Sequence, residues 1–206
     1  MNHLLGQSIP PIILSAHAHC SSFIGLVSWT HLWCSHHLSF SSTSTTKSTT
    51  TTGFDTRLHM ASHELEHITG VWKRMQGNSP IYDFLFGSQD LNLISASRGT
   101  FKAHLVLAAC HVNSRGTIHG AVSAAIVDWA GGLSIATHGL EKTGASVDIH
   151  VTYISTAQVG DTVEIEGTAI KVGRSMAFTN VTITKLVDGE AGPVVASASH
   201  TKFIRQ

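Results

Sequence analysis

One carboxylate sits inside an almost wholly apolar stretch. Residues 119–132 read His-Gly-Ala-Val-Ser-Ala-Ala-Ile-Val-Asp-Trp-Ala-Gly-Gly, and Asp128 is the only acid between Asp90 and Glu141. As a helix, this segment has no polar side: Val122, Ala125, Ile126, Val127, Trp129, Leu133, Ile135 and Ala136 spread right round it, which predicts burial on nearly every face. An ionised carboxylate taken into such surroundings costs several kcal/mol or more, and without partners it shifts its pKa instead. Asp128 is therefore either held by expensive partners or kept there for chemistry. Chemistry is the expectation.

The elements around it follow from pattern. Ser62, followed by His63-Glu64-Leu65-Glu66, has the form of an N-cap with acids in the first turn and predicts a helix to Gly77. Residues 80–86 predict a short helix with Ile81, Phe84 and Leu85 on its apolar face. Residues 89–97 and 100–109 predict a hairpin around Arg98-Gly99. Residues 146–153 alternate, with Val147, Ile149, Val151 and Tyr153 on one face and Ser146, Asp148, His150 and Thr152 on the other. In residues 161–172 the phase switches between Val163/Ile165 and Ile170/Val172, so a bulge or bend is expected at Gly167. Residues 175–187 and 193–203 complete the strands, joined by a turn at Asp188-Gly189-Glu190. The fold class is α+β: about five or six mainly antiparallel strands curving around one long buried helix.

Composition narrows the partners. Lysine plus arginine equal aspartate plus glutamate, 13 each, so nothing directs the chain to nucleic acid or to an anionic membrane surface. Charged residues are only 13% of the 206, as expected if surface is hidden between subunits. Cys20, Cys34 and Cys110 are odd in number and widely spaced, which points to a reducing compartment, cytoplasmic or mitochondrial.

The character of the chain changes near residue 60. No acid precedes Asp55, and residues 41–52 are all serine and threonine apart from Lys47. We expect residues 1–59 to form a disordered or low-complexity extension and residues 60–206 to form the domain. A short apolar run before Ala16-His17-Ala18 lacks the basic flank of a secretory signal, and no arginine precedes Arg57 as a mitochondrial address would need. Met60 is a second potential start. The cluster Cys20, His31, Cys34, His36 and His37 lacks the paired spacings of structural zinc sites, so no metal is expected. The apolar run at 120–137 carries Asp128 and two adjacent glycines, which argues against a membrane span.

Several ordered blocks resemble one family. They are His111-Val112-Asn113-Ser114-Arg115-Gly116-Thr117-Ile118-His119-Gly120, then Asp128, then residues 144–153 (Gly-Ala-Ser-Val-Asp-Ile-His-Val-Thr-Tyr). Residues 172–179 (Val-Gly-Arg-Ser-Met-Ala-Phe-Thr) and 199–202 (Ser-His-Thr-Lys) follow. Together they resemble hotdog-fold acyl-CoA thioesterases of the phenylacetate (PaaI-like) and thioesterase superfamily member 2 type, over roughly residues 81–203. The resemblance implies hydrolysis of acyl-CoA to a free acid and coenzyme A, with no metal or redox cofactor. It implies that Asn113 positions the water or the thioester carbonyl, and that Asp128 is nucleophile or general base. It implies that Ser146 assists the carboxylate, and that the Gly120 N–H polarises the carbonyl. The last role suits a helix N-terminus, whose unpaired N–H groups and positive dipole end favour a developing oxyanion. His119 is expected to cap or brace rather than carry protons. Where the family has a second glycine this chain has Ala121, which bears on substrate fit.

Eight helical residues separate Gly120 from Asp128, or about 12 Å, too far for both to meet one thioester. Two antiparallel helices across a two-fold axis would bring the start of one to the middle of the other. The small Ala124 and Ala125 and the Gly131-Gly132 pair would permit that approach. A homodimer with shared sites is therefore expected, and pairing of dimers into tetramers is open. Lys171 and Arg174 flank a glycine turn and suit the phosphates of coenzyme A. Two other readings compete. A non-catalytic acyl-CoA-binding hotdog sensor or scaffold would need an output module, and the first 57 residues show no DNA-reading pattern. A hotdog hydratase would need a catalytic histidine in a different setting.

Overall fold

A computed structural model describes residues 52–87 and 90–205, with side chains from residue 63 onward. The leader-like run and the Cys/His cluster lie outside the described residues. In chain order the elements are α1 (Thr52–Met75), α2 (Pro80–Phe86), β1 (Leu91–Ser97), β2 (Thr100–Val106), α3 (Gly120–Ala136), β3 (Ala145–Tyr153), β4 (Thr162–Val172), β5 (Met176–Val187) and β6 (Glu190–Phe203). Every strand pairing is antiparallel, and the sheet runs β1-β2-β4-β5-β6-β3. Helix α3 packs across one face of it, against β3, β4, β5 and β6. This is the hotdog arrangement.

Trp129 anchors the core at zero exposure. Trp72 of α1 and Phe101 of β2 meet its ring edge-on at 5.6 and 5.7 Å, and Phe86 of α2 lies 5.4 Å away. Such T-shaped and tilted contacts suit the ring quadrupole. They join both N-terminal helices to α3, so the segment before the first strand belongs to the same core.

Four expectations need correction. Helix α1 begins at Thr52, and Ser62 lies inside it, because Leu58, Met60 and Ala61 are good helix formers that carry the helix through the apparent cap. No bulge sits at Gly167. The register shifts between Ala169 and Lys171 instead. A Cβ at Gly167 would stand 2.5 Å from Phe101 Cε1 and 3.0 Å from the Ala130 carbonyl, so this glycine lets α3 and the Phe101 ring approach the sheet. The alternation of β3 marks no buried face, since the strand is exposed along almost its whole length on both sides. It is an edge strand, bonded only to β6.

The fourth correction concerns Gly131 and Gly132, whose open sides are filled from within the chain. A Cβ on Gly131 would meet His200 Nδ1 at 2.6 Å, and one on Gly132 would meet Thr143 at 2.8 Å. The face of α3 left uncovered carries Gly120, Ala121, Ala124, Ala125 and Asp128, at one-turn spacing.

Candidate active site

Asp128 projects from that uncovered stripe into a cluster of donors. Lys202 Nζ donates to its Oδ1 at 2.7 Å, and the Ser146 hydroxyl donates to the same oxygen at 2.9 Å. The Tyr82 hydroxyl donates to Oδ2 at 2.7 Å. Burial alone would raise the Asp128 pKa. The bonds from Lys202, Tyr82 and Ser146 outweigh it and hold the carboxyl below its ordinary 3.8. Asp128 is thus a carboxylate at neutral pH and keeps one-third of its side chain open to solvent.

Strand β6 supplies the electrostatic floor. Its alternation puts Ala196, Ala198, His200 and Lys202 on the buried face, and Lys202 is only 3% exposed. A lysine so deep needs a counter-charge, and Asp128 provides it. His200 Nε2 lies 3.0 Å from Ser146 Oγ. Ser146 has one proton, and the charge-assisted bond to the carboxylate takes it. His200 therefore donates to Ser146 in turn. Burial, reinforced by the nearby Lys202 charge, pushes the His200 pKa down against the opposing pull of Asp128, so the ring is neutral at pH 7. Register makes this group possible: Ser146 on β3 pairs with Lys202 on β6.

The other predicted residues gather at the N-terminal end of α3, about two turns before Asp128. His119 is the N-cap, with Nδ1 accepting from the Ala121 N–H at 3.0 Å, as expected of a bracing role. The Gly120 carbonyl accepts from the Tyr153 hydroxyl at 3.1 Å, while its N–H makes no backbone hydrogen bond. Asn113 closes the preceding turn: its Oδ1 accepts from the Arg115 N–H at 2.9 Å, and its amide donates to Thr117 Oγ1 at 3.0 Å. One chain therefore unites Asp128 with Ser146 and keeps His119 and Gly120 about two turns of α3 away.

Arg174 lines an open cavity of about 640 Å³ with Ser175, Phe203, Ile204 and Arg205, and Lys171 is not among its lining residues. Phe203 pairs with Ala145, one step along the register from the Lys202–Ser146 pair.

Three members of the cluster escape sequence reasoning: Tyr82, His200 and Lys202. For the last two a signal existed, because a charged and a polar residue occupy the buried phase of an otherwise apolar strand. Tyr82 carries no comparable mark. It lies 46 residues from Asp128 in sequence. Among the described residues no group of three or more metal-ligating side chains is found, and no helix is long and apolar enough to cross a membrane.

Known proteins resemble this chain in sequence and fold. Residues 115–192 match the family model described as the thioesterase superfamily. The chain is similar to human acyl-coenzyme A thioesterase 13, with 31% identity over 114 residues that cover 55% of this chain and 79% of that protein. A putative esterase of Schizosaccharomyces pombe is 32% identical over 117 residues, covering 56% and 70%. The crystal structure of zebrafish thioesterase superfamily member 2 superposes with a TM-score of 0.59 at 28% identity, over 68% of this chain and 96% of that one. Sequence, fold and relatives converge: the chain belongs to the thioesterase superfamily and is a thioester hydrolase of the hotdog fold.

Proposed function

We propose that the substrate is an acyl-CoA thioester, hydrolysed at sites shared between the two chains of a homodimer. The observation that carries this reading is the ionised, donor-fixed Asp128 on the open stripe of α3. In it, the Gly120 N–H of one protomer polarises the thioester carbonyl, and Asp128 of the other takes a proton from water. The water oxygen bonds to the carbonyl carbon, and the C–S bond breaks as the tetrahedral oxyanion collapses. The proton held by Asp128 passes to the leaving sulfur, giving a free acid and coenzyme A thiol. Ser146 and the oxyanion-side Asn113 orient the reactants.

Two features support a second copy. Strand β3 offers an unpaired backbone edge, with Val147 and Tyr153 more than half exposed; an uncovered edge of this kind invites strand pairing. The stripe of Gly120, Ala121, Ala124 and Ala125 is small enough for another helix to pack closely. Antiparallel packing would carry Gly120 across the 12 Å or so that one helix cannot span.

Mixed dimers test the sharing. Asp128→Asn and Asn113→Ala homodimers should both be poorly active. After co-folding, a two-fold dimer of one chain of each has one intact site and should regain about half the wild-type rate. Absence of any regain in purified heterodimers would rule out a shared site.

The cavity beside Phe203 suits the coenzyme A phosphates through Arg174 and Arg205. Arg174→Ala is expected to raise KM for acyl-CoA about 5- to 10-fold with kcat nearly unchanged, because phosphate contacts bind substrate and transition state alike. The increase should shrink at high salt. An unaltered KM would remove Arg174 from substrate binding.

A further inference from the structure

The two oxygens of Asp128 are not equivalent. Oδ1 accepts from Lys202 at 2.7 Å and from Ser146 at 2.9 Å, which occupies both of its lone-pair directions. Among the described residues Oδ2 accepts only from Tyr82, at 2.7 Å, and keeps one direction free. We infer that Oδ2 is the oxygen that takes the proton from water, and that Tyr82 is the residue that positions it. The inference rests on the proposed role of Asp128 as the base.

The aim of Tyr82 is set by its helix. Pro80 starts α2, and both carboxylate oxygens of Asp83 accept from the Gly77 N–H, at 2.9 and 3.0 Å. His111 Nδ1 accepts from the Ala108 N–H, so its Nε2 carries the proton and donates to the Leu85 carbonyl at 2.6 Å. The Tyr82 ring stacks on Phe86 with centroids 5.9 Å apart and planes at 29°, and Phe86 is locked against Trp129. A two-turn helix tied at both ends thus holds a phenol that reaches the carboxylate from the side opposite β6.

The consequences for reactivity follow. A carboxylate held on one oxygen alone rotates about its Cβ–Cγ bond and spreads its free lone pair over a range of directions. With both oxygens held, the free lone pair on Oδ2 points one way. Burial, followed by the hydrogen bond and charge of Asp128, raises the Tyr82 pKa well above its ordinary 10.0, so the phenol stays a donor wherever the enzyme works. A donor to the carboxylate also favours its ionised form. The titratable and charged groups around Asp128 are Tyr82 from α2 and Lys202 and His200 from β6, with Asp148 of β3 acting on His200. Among the described residues Tyr82 shares no hydrogen bond with His200 or Lys202.

Tyr82→Phe tests the assignment, because it deletes one oxygen and leaves the stack on Phe86. Full-length Tyr82→Phe and Asp128→Asn proteins would be compared by thiol release from octanoyl-CoA across pH, with thermal midpoints measured alongside. For Tyr82→Phe we expect kcat to fall about tenfold with KM nearly constant. The acid limb of the kcat profile should rise by about 0.5–1 pH unit as the carboxylate loses a donor. A role confined to packing would lower the midpoint and leave the limb in place, and that result overturns the inference. So does a wild-type profile in Tyr82→Phe while Asp128→Asn is inactive, which leaves Asp128 as the base. Activity in both variants removes the base and its positioning residue together.

Discussion

Asp128→Asn is expected to lower kcat about 10³-fold while leaving KM close to wild type, within the range that a positioned general base contributes. The direction follows from the donor pattern. Lys202 and Ser146 both present hydrogens to the Oδ1 position, so the asparagine must turn its carbonyl oxygen toward them. Its amide nitrogen then takes the place of Oδ2 and offers two hydrogens where a lone pair stood. Tyr82 accepts from that amide in place of donating, and water finds no base. Steady-state thiol release is the measurement, with the thermal midpoint recorded to show that the fold survives. Turnover within tenfold of wild type would remove Asp128 from the chemistry.

Lys202→Met is expected to cost about 2–3 kcal/mol of stability at pH 7, somewhat less than the 3–5 kcal/mol typical when one partner of a fully buried pair is removed. The smaller figure reflects the third of the Asp128 side chain that still reaches solvent. The carboxyl pKa is held below its ordinary 3.8 in the folded protein, so its contribution is present above the unfolded value and disappears as pH falls through the folded one. Above about pH 5 the gap between wild type and variant should be constant. It should narrow as pH falls below that and close only under the folded wild-type pKa, itself below 3.8, where Asp128 is protonated in both proteins. Denaturant midpoints from pH 3 to pH 8 would show this. A gap that widens in acid would mean that Lys202 stabilises through something other than the carboxylate. Activity should suffer too, because a carboxylate released from Lys202 ionises less readily and turns more freely.

How far the amino-acid pattern reaches can be judged residue by residue. Helix α2, the Arg98-Gly99 hairpin, the start of α3 at His119 and the turn at Asp188-Gly189 follow from local signals that tertiary contacts do not override. Asp128 stood out because a charge in an apolar helix breaks the local rule, and Ser146 entered through its family motif. Lys202 is 74 residues from the carboxylate it neutralises. Only the strand order makes them neighbours. Tyr82 lies on a two-turn helix whose orientation is set by Trp129 and His111, which no periodicity encodes. Strand β3 misleads in the opposite direction. Its alternating apolar residues look like a core face, yet the strand lies at the sheet edge and is exposed along almost its whole length.

The order of strands also sets a timetable. Helix α3 and strand β3 leave the ribosome well before β6, yet β6 separates β3 from the rest of the sheet and carries both Lys202 and His200. Until that strand is synthesised, β3 has no neighbour within its own chain and the Asp128 carboxylate has no cation. Before β6 joins, the free edge of β5 and both edges of β3 stand unpaired, and Asp128 lacks its Lys202 partner. Chains in this condition are at risk of pairing wrongly with one another. Strand β6 joins β3 to the rest of the sheet and brings Lys202 to Asp128 in a single event, so sheet pairing and neutralisation of the carboxylate arrive together.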